Sequence, residues 1–254
     1  MLAVERQRQI LELLVDTGSL RTTETAEKLG VTDETVRKDF EVLEQRGELR
    51  RIHGGASKLE RVRPDLSFVE RQAVMRMEKQ AIAKLAASRI RPNETIFLDA
   101  SSTVLTLAEC LPEDMPLTIL TNALNIFTAL SDRPNLDLMC TGGLFDARSR
   151  SFIGLTAERV LQRYNIHRMF LSGSGLHAGR GVSESNARQA AFKERVVANA
   201  EDVVFMADHS KLGRKASFFF AELSDLSCVI TDSAADLDLC HEIESAGTEV
   251  LVVP

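Results

Sequence analysis

No stretch of this 254-residue chain approaches the roughly 20 consecutive apolar residues that a bilayer-spanning helix needs. Its opening, "MLAVERQRQILELL", mixes charges into the apolar residues and so lacks the uninterrupted apolar stretch of a secretory signal. The expectation is a cytoplasmic protein without membrane contact. Cysteine is scarce: four residues, Cys110, Cys140, Cys228 and Cys240, none in a Cys-x-x-Cys pair, with only His241 adjacent to one of them. Structural zinc sites need four converging ligands, usually in close sequence pairs, so no metal is expected and the cysteines read as reduced, packed thiols. Also missing are Gly-x-x-x-x-Gly-Lys-Ser/Thr and a Gly-x-Gly-x-x-Gly after the first strand, so no nucleotide cofactor is expected. Short internal repeats and low-complexity segments are absent too.

What remains is a chain with 44 % hydrophobic and 27 % charged residues, enough for a real core, and a net charge of −6. That balance argues against indiscriminate nucleic-acid binding but not against a small segregated basic face. From Arg46 to Arg63 six basic residues (Arg46, Arg50, Arg51, Lys58, Arg61, Arg63) meet only Glu48 and Glu60. Overlapping that span is "TDETVRKDFEVLEQRGELRRIHGGA", Thr32 to Ala56. Thr32 suits a helix N-cap, and Asp33 and Glu34 suit the positive end of the helix dipole. Val36, Phe40 and Leu43 recur at i, i+4 and i+7 as a buried stripe, which leaves Lys38 opposite, flanked by Thr35 and Arg37. Two earlier short helices stop at Gly18 and Gly30, and the third is expected to end at Gly47. "GELRRIHGGA" then adds a short strand and a glycine turn at Gly54 and Gly55. Together these read as a helix-turn-helix with a wing.

The domain reading is 1–57 for this module, 58–76 for a linker that contains Pro64 and becomes helical near its end, and 77–254 for a larger domain. In the last, apolar strands are expected at 95–100, 117–122, 136–140, 168–172, 202–208, 227–232 and 249–253. Helices are expected near 77–90, 103–111, 123–131, 155–163, 186–200 and 234–246. Continuous apolar strands alternating with helices predict an α/β fold with a mostly parallel sheet covered on both faces.

Ligands of open parallel sheets bind beyond the carboxyl ends of the strands. Here those ends are small and polar: "DASST" (99–103), "TN" (121–122), "TGG" (141–143), "SGSG" (172–175) and "ADHSK" (207–211). Ser101, Ser102 and Thr103 offer hydroxyls beside the free N–H groups of a helix start, an anion site or simply an N-cap. Glycines in "TGG" and "SGSG" allow close backbone approach to a ligand, or merely tight turns. Asp208 can accept from sugar hydroxyls and Lys211 can neutralise a phosphate. Jointly, the loops suit a small polyhydroxylated anion such as a sugar phosphate.

The chain resembles the DeoR family of bacterial transcription regulators over nearly its whole length. The Thr32–Ala56 stretch, with its specific "RRIHGGA" ending, is similar to that family's helix-turn-helix signature. "FVERQAVMRMEKQAIAKLAA", "IFLDASSTVLTLAECL", "LTILTNAL", "TGGLFDARSRSFIG" and "DVVFMADHSKLG" resemble its later landmarks in order. The resemblance implies a winged helix-turn-helix joined to a domain related to ribose-5-phosphate isomerase. It implies a repressor of a sugar or polyol catabolism operon that a phosphorylated sugar controls. Carried over, Thr35, Arg37, Lys38, Arg51 and His53 fall on the DNA-reading motif. Asp99 to Thr103, Asn122, Gly142, Gly143, Gly173, Gly175, Lys193, Asp208 and Lys211 fall on the effector pocket. Two positions depart from the pattern: Ser101 stands where the family usually has Gly, and Gln189 where it often has Glu.

The expected partners are double-stranded operator DNA, a phosphorylated sugar or polyol, and further copies of the chain in a homodimer or homotetramer. Two rivals stay open on the residues alone. One is a sugar-phosphate isomerase with Asp208 or Glu184 as base and Lys211 or Lys193 as electrostatic partner. The other is an architectural DNA-binding protein with a vestigial sheet domain.

Overall fold

A computed structural model describes residues 3–46, 48–58 and 67–253, apart from the side chains of Val15, Asp16 and Lys58. Gly47, the expected stop of the third helix, and 59–66, with Arg61, Arg63 and Pro64, lie outside the described residues. Contacts divide the chain into two units, Met1–Pro64 and Asp65–Pro254.

In the first unit α1 (Ala3–Thr17), α2 (Thr22–Leu29) and α3 (Asp33–Gln45) enclose a core of Ile10, Leu14, Ala26, Val36, Phe40 and Leu43. The stripe expected on α3 is buried as read. Gly30 ends α2 in the left-handed conformation (φ 66°), its N–H returning to the carbonyl of Ala26. One charge joins this core. Asp39, 3 % exposed, accepts from Arg6 Nε at 2.5 Å and Gln7 Nε2 at 3.0 Å, which ties α1 to α3. A buried polar group needs such partners to offset the cost of leaving water. The hairpin expected after α3 is β2 (Leu49–Ile52) and β3 (Gly55–Lys58), and a third strand, β1 (Ser19–Arg21), joins it antiparallel in the order β1-β3-β2. β1 is too short to show a period. Its closeness explains Gly55, where a Cβ would stand 2.0 Å from the carbonyl oxygen of Leu20.

The second unit begins with α4 (Phe68–Ala73), which falls within the stretch read as linker, and α5 (Arg76–Ser88). Ser67 and Glu70 cap α4 reciprocally. The sheet has seven strands: β4 (Thr95–Leu98), β5 (Leu117–Thr121), β6 (Leu136–Cys140), β9 (Ile166–Leu171), β12 (Ala200–Met206), β14 (Cys228–Asp232) and β15 (Glu249–Val253). All seven expected strands are present, and every neighbouring pair is parallel. Helices α5, α6 (Ser102–Cys110) and α7 (Leu124–Leu130) pack with Ile96 and Leu98 on one face. Helices α8 (Leu155–Leu161), α9 (Ala187–Val196) and α10 (Leu237–Ser245) pack with Phe97 and Leu171 on the other. The last turn expected for α9 is instead a short 3₁₀ turn, Val197–Asn199.

Two smaller sheets were not legible. One is the hairpin β7 (Leu144–Asp146) and β8 (Ser151–Ile153); the other is the antiparallel set β10 (Gly175–His177), β11 (Gly181–Glu184) and β13 (Phe218–Ala221). The strand order β15-β14-β12-β9-β4-β5-β6 means the chain winds outward from β4 one way and from β9 the other. Adjacent strands with diverging connections open a crevice at their carboxyl ends, here after Leu98 and Leu171.

Candidate DNA-binding and effector sites

The outer face of α3 is built by its N-cap. Thr32 accepts from Thr35 N–H at 3.3 Å, and the two hydroxyls lie 2.9 Å apart. Arg37 pairs with Asp33 at 4.0 Å and Lys38 with Glu34 at 3.3 Å, both across one exposed turn. Exposed pairs of this kind contribute about 0.2–0.5 kcal/mol each, so a phosphate or a guanine edge displaces them readily. Arg50, Arg51, Ile52, His53 and Gly54 are all exposed in the wing, and Gly54 turns it at φ 79°. Glu44 accepts the Arg51 backbone N–H at 2.8 Å and fixes the wing to the end of α3.

At the crevice, β4 delivers Asp99, fully buried, and α9 delivers Lys193, 2 % exposed. Lys193 Nζ lies 2.9 Å from Asp99 Oδ2, 2.7 Å from Glu184 Oε1 and 2.6 Å from the carbonyl of Ser172. Ser174 donates to the other Glu184 oxygen at 2.8 Å. Burial opposes the charge on Lys193, but Asp99 and Glu184 outweigh it and hold the ammonium above its ordinary pKa. Burial likewise opposes the charge on Glu184, and Lys193, Ser174 and Lys211 outweigh it, leaving that carboxyl below its usual range. For Asp99 burial wins, and its carboxyl is pushed up.

Beside this group Lys211 donates to Ser172 Oγ at 3.0 Å. Asp208, buried, accepts from Ser210 Oγ at 2.5 Å. Burial raises Asp208, but Lys211 and Ser210 bring it below the carboxylate range, while burial lowers Lys211. The structure thus gathers Asp99, Lys193, Asp208 and Lys211 around Ser172.

Register sets Asn122 beside Asp99. Leu98 pairs with Thr121, and each polar residue follows its strand on the face shared by Phe97 and Leu120. Asn122 donates to the carbonyl of Phe152 at 3.2 Å, yet its Oδ1 has no partner among the described residues. The same holds for the buried Thr103 hydroxyl, and neither Asp99 oxygen completes a hydrogen bond of ordinary geometry. Buried polar atoms are nearly always satisfied, and each exception costs about 1–3 kcal/mol. Asn122 after β5 and Thr103 in the first turn of α6 thus leave two buried polar atoms without a partner among the described residues, close to Asp99, whose Oδ2 faces Lys193.

Other expected members have structural duties. Ser101 is the N-cap of α6 and accepts from Val104 N–H at 3.0 Å, and Ser102 is buried in the first turn. A Cβ on Gly143, Gly173 or Gly175 would come within 2.7, 2.9 and 2.5 Å of the carbonyl oxygens of Ile153, Ser183 and Arg214. Backbone packing therefore accounts for these three without a ligand. Gly142 has open space and a φ of 62°.

Sequence reasoning passed over Lys79 and saw only part of what Glu184 and Gln189 do. Glu184 entered only as an enzymatic base, although it completes the Lys193 cluster. Gln189 sits one turn before Lys193 and gives its Nε2 to Ser149 at 2.8 Å, Ser151 at 2.9 Å and Asp146 at 3.3 Å. A Glu there would face the Asp146 carboxylate. Lys79 on α5 is buried, and its signal was available: it stands at i−3, i−4 and i−7 from Ile82, Ala83 and Ala86, the inward phase of that helix.

A DeoR-like helix-turn-helix domain matches residues 6–62, and the DeoR C terminal sensor domain matches residues 75–233. The chain belongs to the DeoR family of transcriptional regulators. It is 37 % identical over 254 residues to an HTH-type transcriptional regulator, YulB, of Bacillus subtilis (strain 168), covering 100 % of this chain and 98 % of that one. It is 34 % identical over 235 residues to the lactose phosphotransferase system repressor of Streptococcus mutans, covering 91 % and 93 %. A solved ribose 5-phosphate isomerase A from Methanocaldococcus jannaschii matches 52 % of each chain at a TM-score of 0.39 and 15 % identity. This DeoR-family member is a DNA-binding transcriptional regulator with a sensor domain, and the isomerase reading gives way to that membership. Among the described residues no helix is long and apolar enough to cross a membrane.

Proposed function

We propose that this DeoR-family regulator represses a sugar or polyol catabolism operon in the cytoplasm. A phosphorylated sugar or polyol at the sheet edge controls its hold on operator DNA. The observation that carries the reading is the pair of buried polar atoms without a partner among the described residues, Asn122 Oδ1 and Thr103 Oγ1, beside the buried Asp99–Lys193 pair and the half-buried Lys211. Hydroxyls of a polyol satisfy the acceptors, and Lys211 neutralises the phosphate. Paired chains set two α3 helices in successive major-groove faces about 34–36 Å apart. Arg37 or Lys38 reaches base edges, and Arg51 and His53 hold the backbone or minor groove from the wing. A coupling of about 1–3 kcal/mol changes operator affinity roughly 5–150-fold, and ligand releases the DNA. The lactose system in the name of the Streptococcus mutans relative is in keeping with a carbohydrate signal.

The test is binding of the full chain to its own upstream DNA at fixed salt, since phosphate contacts make affinity steeply salt-dependent. Ribose 5-phosphate, fructose 1-phosphate, glycerol 3-phosphate and inorganic phosphate are titrated in. A tenfold or greater loss of affinity with one organic phosphate supports the reading. DNA binding that none of them moves, with no ligand detected calorimetrically, overturns the effector assignment.

A further inference from the structure

The proposed ligand site leaves one buried cation without a task. Lys79 is only 4 % exposed, and the rest of the inward face of α5 is apolar. Its ammonium donates to the backbone carbonyl of Val74 at 2.6 Å and to that of Arg71. Those carbonyls belong to the end of α4 and to the two-residue join before α5. The join is strained: Met75 holds φ 52° and ψ 48°, a left-handed conformation that residues with side chains adopt at a cost.

The same ammonium lies in the field of the sheet-edge site. Lys211 and Asp208 act on it from the loop after β12, and Arg71 and Glu78 from α4 and α5. Burial, with Lys211, holds Lys79 down at about 8, so added negative charge nearby stabilises its charged form. α4 is held at its other end as well. Phe68 N–H donates to the carbonyl of Arg148 at 3.4 Å, in the β7–β8 turn that carries Ser149, and the Phe68 ring joins the core with α6. Lys79 therefore links the charges of Lys211 and Asp208, which act on its ammonium, to α4, the first helix described after the DNA-binding unit.

We propose that Lys79 is a positioning residue through which an anionic ligand held by Lys211 is sensed at the α4–α5 join. The inference rests on the reading of the sheet edge as an anion site. A phosphate dianion beside Lys211 competes with the Arg71 and Val74 carbonyls for the Lys79 ammonium. A hydrogen bond between two ionised groups is stronger than one from the ammonium to a neutral carbonyl. The ammonium turns toward the anion, the end of α4 loses its two ties, and the left-handed turn at Met75 is free to relax. Ligand occupancy then becomes a change in the segment leading to the DNA-binding unit.

The test uses the full chain, its operator fragment at fixed salt, and ribose 5-phosphate, fructose 1-phosphate and glycerol 3-phosphate. Ligand affinity is measured by calorimetry without DNA, and operator affinity with and without ligand, for wild type, Lys79→Met and Lys79→Arg. The expected result for Lys79→Met is operator affinity within about threefold of wild type and ligand affinity within about tenfold. The ligand-induced change in operator affinity falls from the roughly 5–150-fold of a coupled regulator to under about twofold. Lys79→Arg restores part of it. Full coupling in Lys79→Met overturns the inference and leaves the ligand site standing. No binding of any of the three phosphates to wild type overturns the site itself, and the inference with it. If Lys79→Met fails to fold, wild type labelled with ¹³C at lysine Cε decides. A Lys79 signal that moves on saturation with the bound sugar phosphate supports the inference, and one that stays fixed overturns it.

Discussion

Lys193 reaches from α9 to Asp99 at the end of β4, with Nζ 2.9 Å from Oδ2, and so spans the point where the sheet changes its winding direction. Its further bonds to Glu184 and to the carbonyl of Ser172 make it a cation shared by two carboxylates. Removing one partner of a buried ion pair costs about 3–5 kcal/mol, because the other is left uncompensated. Lys193→Met is therefore expected to lower the unfolding free energy of the sensor unit by about that amount in urea titrations. Asp99→Asn placed on Lys193→Met is expected to recover part of it. A Lys193→Met protein as stable as wild type would refute the cluster as a structural clasp.

Lys79 gives a pH dependence of definite sign. Its folded pKa, about 8, is below the unfolded value near 10.5. Between those two values the unfolded chain keeps the proton that the folded chain has lost, so stability attributable to Lys79 rises with pH across that window. Wild type compared with Lys79→Met in chemical denaturation from pH 7.5 to 10 is expected to gain ground steadily. A difference that stays flat, or falls, contradicts the burial of a titrating amine at this position.

On α3, Lys38→Ala is expected to change folding stability by no more than about 0.5 kcal/mol, because its pair with Glu34 is exposed. Operator binding separates its two possible tasks. If Lys38 reads a base, preference for the cognate sequence falls by about 1–3 kcal/mol; if it touches phosphate, all sequences weaken alike and the salt slope drops by about 1. Operator binding unchanged in both respects would remove Lys38 from the interface.

Gln189→Glu is expected to set a second carboxylate against Asp146, whose Oδ2 now lies 3.3 Å from Gln189 Nε2. Like charges raise one of the two pKa values, so the variant is destabilised at pH 8 and recovers as the pH falls and that carboxyl takes up a proton. Melting at pH 8 and pH 5 checks this. An equal loss at both pH values would mean that repulsion is not the cause.

The seven-stranded sheet was legible because strands buried on both faces are continuous apolar runs. β10 and β11 were not, since "GLH" and "GVSE" are short and carry no pattern that separates them from loop, and β1 is three residues long. The α3 stripe of Val36, Phe40 and Leu43 could be counted, whereas Asp39 among them reads as polar until Arg6 and Gln7 are seen against it. Asp99, Lys193, Asp208 and Lys211 could each be nominated from strand-end position or family resemblance. That Lys193 would choose Asp99 and Glu184 could not be, since the pairing depends on where α9 lies over the sheet. Lys79 was hidden by its chemistry, because a lysine on a helix is ordinarily assumed to be in water.

Asp33, Glu34, Arg37 and Lys38 form two ion pairs on the first turns of α3. To an approaching duplex this stretch of the helix is electrically silent, two positive charges cancelled by two negative ones. Random stretches of DNA attract it little, and the carboxylates push back against their phosphates. On the proposed docking of α3, a groove edge that takes Arg37 or Lys38 has to repay the exchange of partners, so the acidic side chains would act as a filter against idle residence on the wrong sequence.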